Sequence, residues 1–402
     1  CCIHMSILEQ IKSELPWLDD KVIFDLTRGK PSPDQLSITE ENFRSINVPY
    51  EMDGIDLRNY GTPEGIPSAR ELGSKILSTT ISNTLALDNS SLTLMQQVLA
   101  CSYHIGFNKS KLSNKSKFLC PVPGYDRHFK LIENFGVEMI PMPFQKDGPD
   151  LNSLESLLKQ HKDVNGIVCV PRHSNPTGHT YSDDNVRNMF KLLQPSNENF
   201  MILWDNAYAC HDLKDTAPQS PASSMAEEYD LQHNLFILGS TSKITLAGSG
   251  LAFFSSSKEN NEKFIDYRNS LTPGPNKMNQ GLHTIFFQEK SLESQMDGLK
   301  KIVLPKFEMV DEYLLRLREK NLCNFTSPTG GYFISFESKD SKAQEIIEHC
   351  LKLGLRLLPV GSCFPYGNDP NNSNIRIAPT YPNLANLDKC LKIFEKVVEK
   401  LN

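Results

Sequence analysis

Reactive potential in this chain centres on one lysine. Lys243 lies in Leu235-Phe236-Ile237-Leu238-Gly239-Ser240-Thr241-Ser242-Lys243-Ile244-Thr245-Leu246-Ala247-Gly248-Ser249-Gly250, followed by Leu251-Ala252-Phe253-Phe254. An apolar run, small hydroxylated residues, a lysine, a glycine-flanked loop and a second apolar run spell strand, tight loop, strand. A lysine at that loop mouth can be desolvated, which lowers its pKa and makes the amine a nucleophile able to form a Schiff base with an aldehyde. Ser240 and Ser242 beside it could hydrogen-bond a phosphate. Alone, the same pattern also describes a solvated turn. Two further loops supply what such a lysine would need. Asn175-Pro176-Thr177-Gly178 offers an amide to a phenolic oxygen, and Asp205-Asn206-Ala207-Tyr208 follows an apolar strand, where a buried carboxylate would face a ligand. Singly these read as a turn and a helix cap. In this order, each at the end of its own strand, they form a joint signal.

The elements that must position these loops are regular from Lys117 onward. Strands are expected over 118–121, 137–143, 166–170 and 200–204, with helices over 126–135, 151–161 and 182–193 between them. Such alternation predicts an α/β fold, a large doubly wound and mostly parallel sheet whose ligand lies beyond the carboxyl ends of the strands. Upstream, 6–17 reads as a short amphipathic helix, and Gly29-Lys30-Pro31-Ser32-Pro33 as a loop no helix survives. The loop Arg58-Asn59-Tyr60-Gly61-Thr62-Pro63-Glu64-Gly65 leads into a helix over 66–77. Asp88-Asn89-Ser90-Ser91 precedes a helix over 92–107, a start that suits a phosphate and equally an ordinary N-cap. After residue 295 the grammar changes: a long helix over 296–320, Gly330-Gly331-Tyr332-Phe333-Ile334-Ser335-Phe336, a helix to Leu353, strands near 356–358 and 375–377, and a closing helix over 384–401. The expected division is an N-terminal arm with part of a small domain (1–45), a large domain (46–295) and a small α+β domain (296–402).

With 42 basic against 48 acidic residues and no block of either sign, nothing points to nucleic acid or an anionic membrane as partner. The apolar runs are strand-sized, far short of the roughly 20 residues that cross a bilayer. Residues 1–18 lack a basic region followed by an apolar core, so no secretory signal is expected. The 10 cysteines show no CxxC spacing, which favours packed thiols in a cytoplasmic protein over disulfides or a metal site.

The constellation resembles the fold-type I pyridoxal-phosphate enzymes of the class I/II aminotransferase group, over essentially the whole chain. The resemblance implies the cofactor pyridoxal 5'-phosphate, with Lys243 as its Schiff-base lysine and Asp205 paired with the protonated pyridine nitrogen. It places Asn175 and Tyr208 on the phenolic oxygen, Tyr125 stacked on the ring, and Ser90, Ser91 and Leu92, with Ser240 and Ser242, around the phosphate. Tyr60 matches the tyrosine that reaches the neighbouring subunit's phosphate, which implies a homodimer with shared active sites. Arg376 matches the arginine holding the substrate α-carboxylate, and Gly29 the loop glycine that lets substrate approach.

More narrowly, Asp25-Leu26-Thr27-Arg28-Gly29-Lys30-Pro31-Ser32, Arg58-Asn59-Tyr60-Gly61, Pro121-Val122-Pro123-Gly124-Tyr125-Asp126-Arg127-His128, Trp204-Asp205-Asn206-Ala207-Tyr208 and Ile375-Arg376-Ile377-Ala378-Pro379-Thr380 look like the bacterial-type aspartate aminotransferase subgroup, sometimes labelled alanine–glyoxylate aminotransferase-like. The implied reaction is ping-pong transamination from L-aspartate to 2-oxoglutarate, giving oxaloacetate and glutamate. Another donor (alanine, kynurenine or an aromatic amino acid) and a fold-type I lyase stay open. One departure stands out: where most of the class carries a phosphate-binding arginine, this chain has Ser249-Gly250-Leu251, and Lys277 is the candidate replacement. An acidic substrate side chain needs a second cation, with Arg28, Arg58, Arg127, Arg172 and Arg268 as candidates, Arg172 and Arg127 the best placed.

Overall fold

The computed structural model describes residues 5–19, 22–107, 109–195 and 198–402. Strand Leu235–Ser240 is buried along its whole length. Its side chains alternate between two cores: Leu235 and Ile237 join Ile202, Trp204 and Cys169 on one face, while Phe236 and Leu238 join Met201, Leu203 and Phe254 on the other. A strand covered on both faces must be apolar throughout, which is why it reads as a run and not an alternation. Each such side chain contributes about 2 kcal/mol by leaving water.

Around it the described residues form an eight-stranded sheet in the spatial order Thr84–Ala86, Ala252–Ser255, Leu235–Ser240, Met201–Asp205, Val164–Cys169, Lys117–Val122, Glu138–Gln145, Gly148–Pro149. Strands 235–240, 201–205, 164–169, 117–122 and 138–145 run parallel, while 252–255 runs against its two neighbours. The α/β class expected from the alternating pattern is the fold observed. Register matters for the site: Leu238 lies opposite Asp205, so the carboxylate sits beside the strand that ends just before Lys243.

A second core surrounds the antiparallel sheet of Cys323–Phe325, Ile334–Ser338 and Asn374–Ile377, backed by helices Leu292–Glu319, Ala343–Lys352 and Leu384–Leu401. The N-terminal segment belongs to it. Ile11 and Leu15 are buried there, Phe24–Asp25 pairs in parallel with Leu355–Arg356, and Glu14 lies 2.9 Å from Lys396 and 2.8 Å from Lys400.

Several elements differ from the sequence expectation for identifiable reasons. A helix, Pro33–Ser45, starts inside the proline-rich stretch, because proline fits a first helical position and Ser32 with Gln35 forms a capping box. The long helix begins at Leu292 behind the cap Ser291. Helix Lys258–Asn269 is too polar to show a clear apolar stripe, and Lys277–Glu289 buries a mostly polar face (Lys277, Gln280, His283, Thr284), so both emerge only in the structure. Among the described residues no helix is long and apolar enough to cross a membrane.

Candidate active site

Five loops meet at the carboxyl edge of the large sheet. Lys243 stands three residues beyond strand Leu235–Ser240 and is partly buried. Its Nζ lies 5.0 Å from the ring centre of Tyr208 and 5.9 Å from that of Tyr332. Tyr332 Oη donates to the Lys243 carbonyl (3.4 Å) and accepts from Gln35 Nε2 (2.9 Å), which fixes the backbone that carries the amine. Desolvation pulls the Lys243 pKa down; the Asp205 charge opposes this and Arg127 adds to it. A lowered pKa raises the share of neutral, nucleophilic amine near neutrality.

Asp205 ends its strand and is 4% exposed. One carboxylate oxygen lies 2.9 Å from His128 Nε2; a carboxylate can only accept, so Nε2 carries the proton of this bond. The other, Oδ1, is buried without a partner. Asn175 likewise has a buried Nδ2 without a partner, while its Oδ1 accepts from Arg376 Nη1 at 3.2 Å. Tyr208 is buried, which raises its phenol pKa well above the ordinary value and keeps it a proton donor near neutrality. Tyr125 caps helix Asp126–Asn134 and meets the His128 ring edge-on at 4.7 Å.

Arg376 projects from the small sheet. Nη1 donates to Asp126 Oδ1 (2.8 Å), Nη2 donates to the Thr27 carbonyl (2.8 Å), and the guanidinium lies 4.6 Å over the Phe333 ring. Its Nε is buried without a partner. Gly29 lies against the tip of that ring: a β-carbon there would come within 2.4 Å of Phe333 Cζ. Gly29→Ala should therefore push Phe333 off Arg376, cost about 1–3 kcal/mol as overpacking, and raise KM. A variant with wild-type Tm and KM would contradict this.

The hydroxyl cluster is close-knit. Ser240 Oγ donates to Ser242 Oγ (3.1 Å), Ser242 Oγ donates to the Asn89 carbonyl (3.0 Å), and Ser90 caps helix Ser91–His104 through Thr93 N (3.4 Å). The N–H groups of Ser91 and Leu92 open this helix. A β-carbon on Gly250 would meet Ser242 Oγ at 2.7 Å and the Asn89 carbonyl at 2.8 Å, so the segment after Lys243 hugs this loop.

The candidate cations divide sharply. Arg268 is buried on Asp88 (2.9 Å), Arg172 pairs with Asp212 (2.6 Å), and Arg58 pairs with Asp56 (2.9 Å). Arg172, one of the two best placed by sequence, is thus committed elsewhere. Arg28 and Arg127 are exposed, and no ion pair holds either among the described residues. Lys277 is buried, its ammonium donating to the carbonyls of Asn59 and of Gly61, the latter at 3.2 Å. In its own chain it clamps the loop of Tyr60. Tyr60 is 80% exposed.

Sequence reasoning passed over His128, Asp126, Tyr332, Phe333 and Gln35. For His128 a signal existed, since it lies one helical turn from Tyr125 at the start of a helix that follows a strand.

Buried polar atoms without partners call for a ligand with matching groups. An aromatic nitrogen bearing a proton suits Asp205 Oδ1, a phenolic oxygen suits Asn175 Nδ2, a phosphate suits the Ser90, Ser240 and Ser242 hydroxyls, and an aldehyde suits Lys243. Pyridoxal 5'-phosphate presents all four groups, so fold and site together define a pyridoxal-phosphate-dependent aminotransferase. The family model for aspartate amino-transferase matches residues 6–400, and the chain belongs to that family. It is 37% identical to an aspartate aminotransferase of Corynebacterium glutamicum over 393 residues, 94% of this chain and 90% of that one. The crystal structure of an aspartate transaminase from that organism superposes with a TM-score of 0.90 at 36% identity, covering 98% and 95% of the two chains. A structure from Corynebacterium diphtheriae gives 0.91 at 40% identity, covering 97% and 98%. The α-aminoadipate aminotransferase of Thermus thermophilus, solved with N-(5'-phosphopyridoxyl)-L-leucine, shares the fold at 19% identity and a TM-score of 0.78, covering 99% and 96%.

Proposed function

We propose that the chain transfers the amino group of L-aspartate to 2-oxoglutarate, releasing oxaloacetate and glutamate by a ping-pong mechanism. The observation that carries the choice of an acidic donor is Arg127. It is an exposed cation at the opening turn of helix Asp126–Asn134, without an ion pair among the described residues, between Asp126, which bonds Arg376, and His128, which bonds Asp205. The name of the Corynebacterium glutamicum relative supports the same donor.

Bound here, pyridoxal 5'-phosphate supplies an electron sink for the negative charge that develops at the substrate α-carbon. Lys243 would supply the amine that holds the cofactor and the base that moves a proton at the substrate α-carbon. Asp205 holds the proton on the pyridine nitrogen, and His128 holds Asp205. Asn175 and Tyr208 donate to the phenolic oxygen, and Tyr125 covers the ring. Ser90, Ser240 and Ser242, with the Ser91 and Leu92 N–H groups, receive the phosphate. Arg376 takes the α-carboxylate. Tyr60, exposed and clamped by Lys277, completes the phosphate site of a second copy in a homodimer.

Arg127→Gln should raise KM for aspartate by roughly 10-fold, the worth of one charge-assisted contact, while leaving alanine kinetics almost unmoved. Profiling donors against 2-oxoglutarate checks both points. Preference for alanine in the wild-type enzyme, or equal losses for both donors in the variant, would defeat this reading.

A further inference from the structure

The opening turn of helix Asp126–Asn134 sends neighbouring side chains to different parts of the site. His128 reaches Asp205, Arg127 is exposed, and Tyr125 lies against His128. Asp126 has no part in the mechanism above, yet it makes the closest charged contact to Arg376, Oδ1 to Nη1 at 2.8 Å. Arg376 is 4% exposed, and its remaining partners are neutral: the Asn175 amide oxygen, the Thr27 carbonyl and the Phe333 ring. A buried guanidinium needs a counter-charge, and the carboxylate that provides it also fixes its plane. With both Nη1 hydrogens committed to Asp126 and Asn175, and one of the two on Nη2 to Thr27, the second Nη2–H and the buried Nε–H are left to donate, and Nε has no partner at all.

We infer that Asp126 is a positioning residue for amino-acid binding: it holds Nη1 of Arg376 so that the Nε–H and the remaining Nη2–H stay available to the substrate α-carboxylate. The pair also crosses between the two sheets, since Arg376 sits on the small one and Asp126 follows a strand of the large one. Beside it, Gly124 N donates to the Cys363 carbonyl at 2.8 Å, a second tie across the same seam. Asp126 thus presets the arginine before substrate arrives, so binding does not have to order it. Because every α-amino acid carries this carboxylate, the effect is blind to the side chain, unlike that of Arg127.

The inference rests on Arg376 being the carboxylate site, so Arg376→Lys is measured beside Asp126→Asn in the cofactor-loaded enzyme. Asp126→Asn keeps the shape and an acceptor oxygen but removes the charge, and Asp126→Glu is the conservative rescue. Asp126→Asn should raise KM for aspartate and alanine alike by about 10-fold, with a much smaller fall in kcat. Glu at this position should restore part of the loss. Succinate, which binds without reacting, should lose affinity by the same factor in a titration followed by the cofactor's absorption. Unchanged or lowered KM in Asp126→Asn, with Arg376→Lys impaired, overturns the role of Asp126. Loss confined to acidic donors does so too. An Arg376→Lys variant with normal KM overturns the carboxylate assignment itself.

Discussion

Lys243→Ala is expected to abolish the visible absorption of lysine-bound pyridoxal phosphate and to lower kcat by on the order of 10⁴-fold, the upper range for a positioned acid–base group. The fold should survive the change. Tyr332 bonds to the backbone carbonyl of Lys243, which alanine retains, and removing a desolvated amine relieves a burial cost. A Tm within a few degrees of wild type then assigns the loss to chemistry. Added methylamine should restore a small fraction of turnover, because it replaces the missing base without a tether and lacks the advantage of fixed proximity. Persistence of the visible band in the variant would remove Lys243 from its proposed role and leave the cluster around Tyr208 without a nucleophile.

How much of this was legible in the sequence depends on the range of the forces involved. Strand Leu235–Ser240 and its neighbours announce themselves because burial on both faces demands unbroken apolar runs, and Asp205 is visible as the polar residue that ends one. The loops of Asn175 and Lys243 follow from the same punctuation. Helix Pro33–Ser45 was hidden because its prolines are breakers in a helix interior but starters at its first position. Charge pairing was illegible. Arg172 and Arg127 look alike as loop cations, and their difference lies in Asp212, 40 residues from Arg172 and brought to it by the bridge of Asp212 with Gly330 and the loops around it. The sequence shows Lys277 as a loop cation, but not its partners, two backbone carbonyls more than 200 residues away. His128 lay in a quoted motif, but its contact with Asp205 spans 77 residues and depends on strands 117–122 and 201–205 being separated by strand 164–169 alone.

That contact leads to the second large effect. Asp205→Ala leaves His128 Nε2 without its carboxylate and removes the buried charge proposed to hold the pyridine proton. Breaking such a pair costs about 3–5 kcal/mol, which is roughly 10²- to 10⁴-fold if it falls on the transition state. Asp205→Asn keeps the shape but not the charge, so it should lose nearly as much activity while retaining Tm better. His128→Ala should cost less, on the order of 10-fold, because Asp205 stays charged and loses only the bond that aims it. Since His128 acts through Asp205, the double variant should be no slower than Asp205→Ala alone, a strong departure from additivity. Equal kcat in Asp205→Asn and wild type would show that the carboxylate does not hold the ring nitrogen. Additive losses in the double variant would show that His128 acts independently, and the 2.9 Å contact would then be an architectural one.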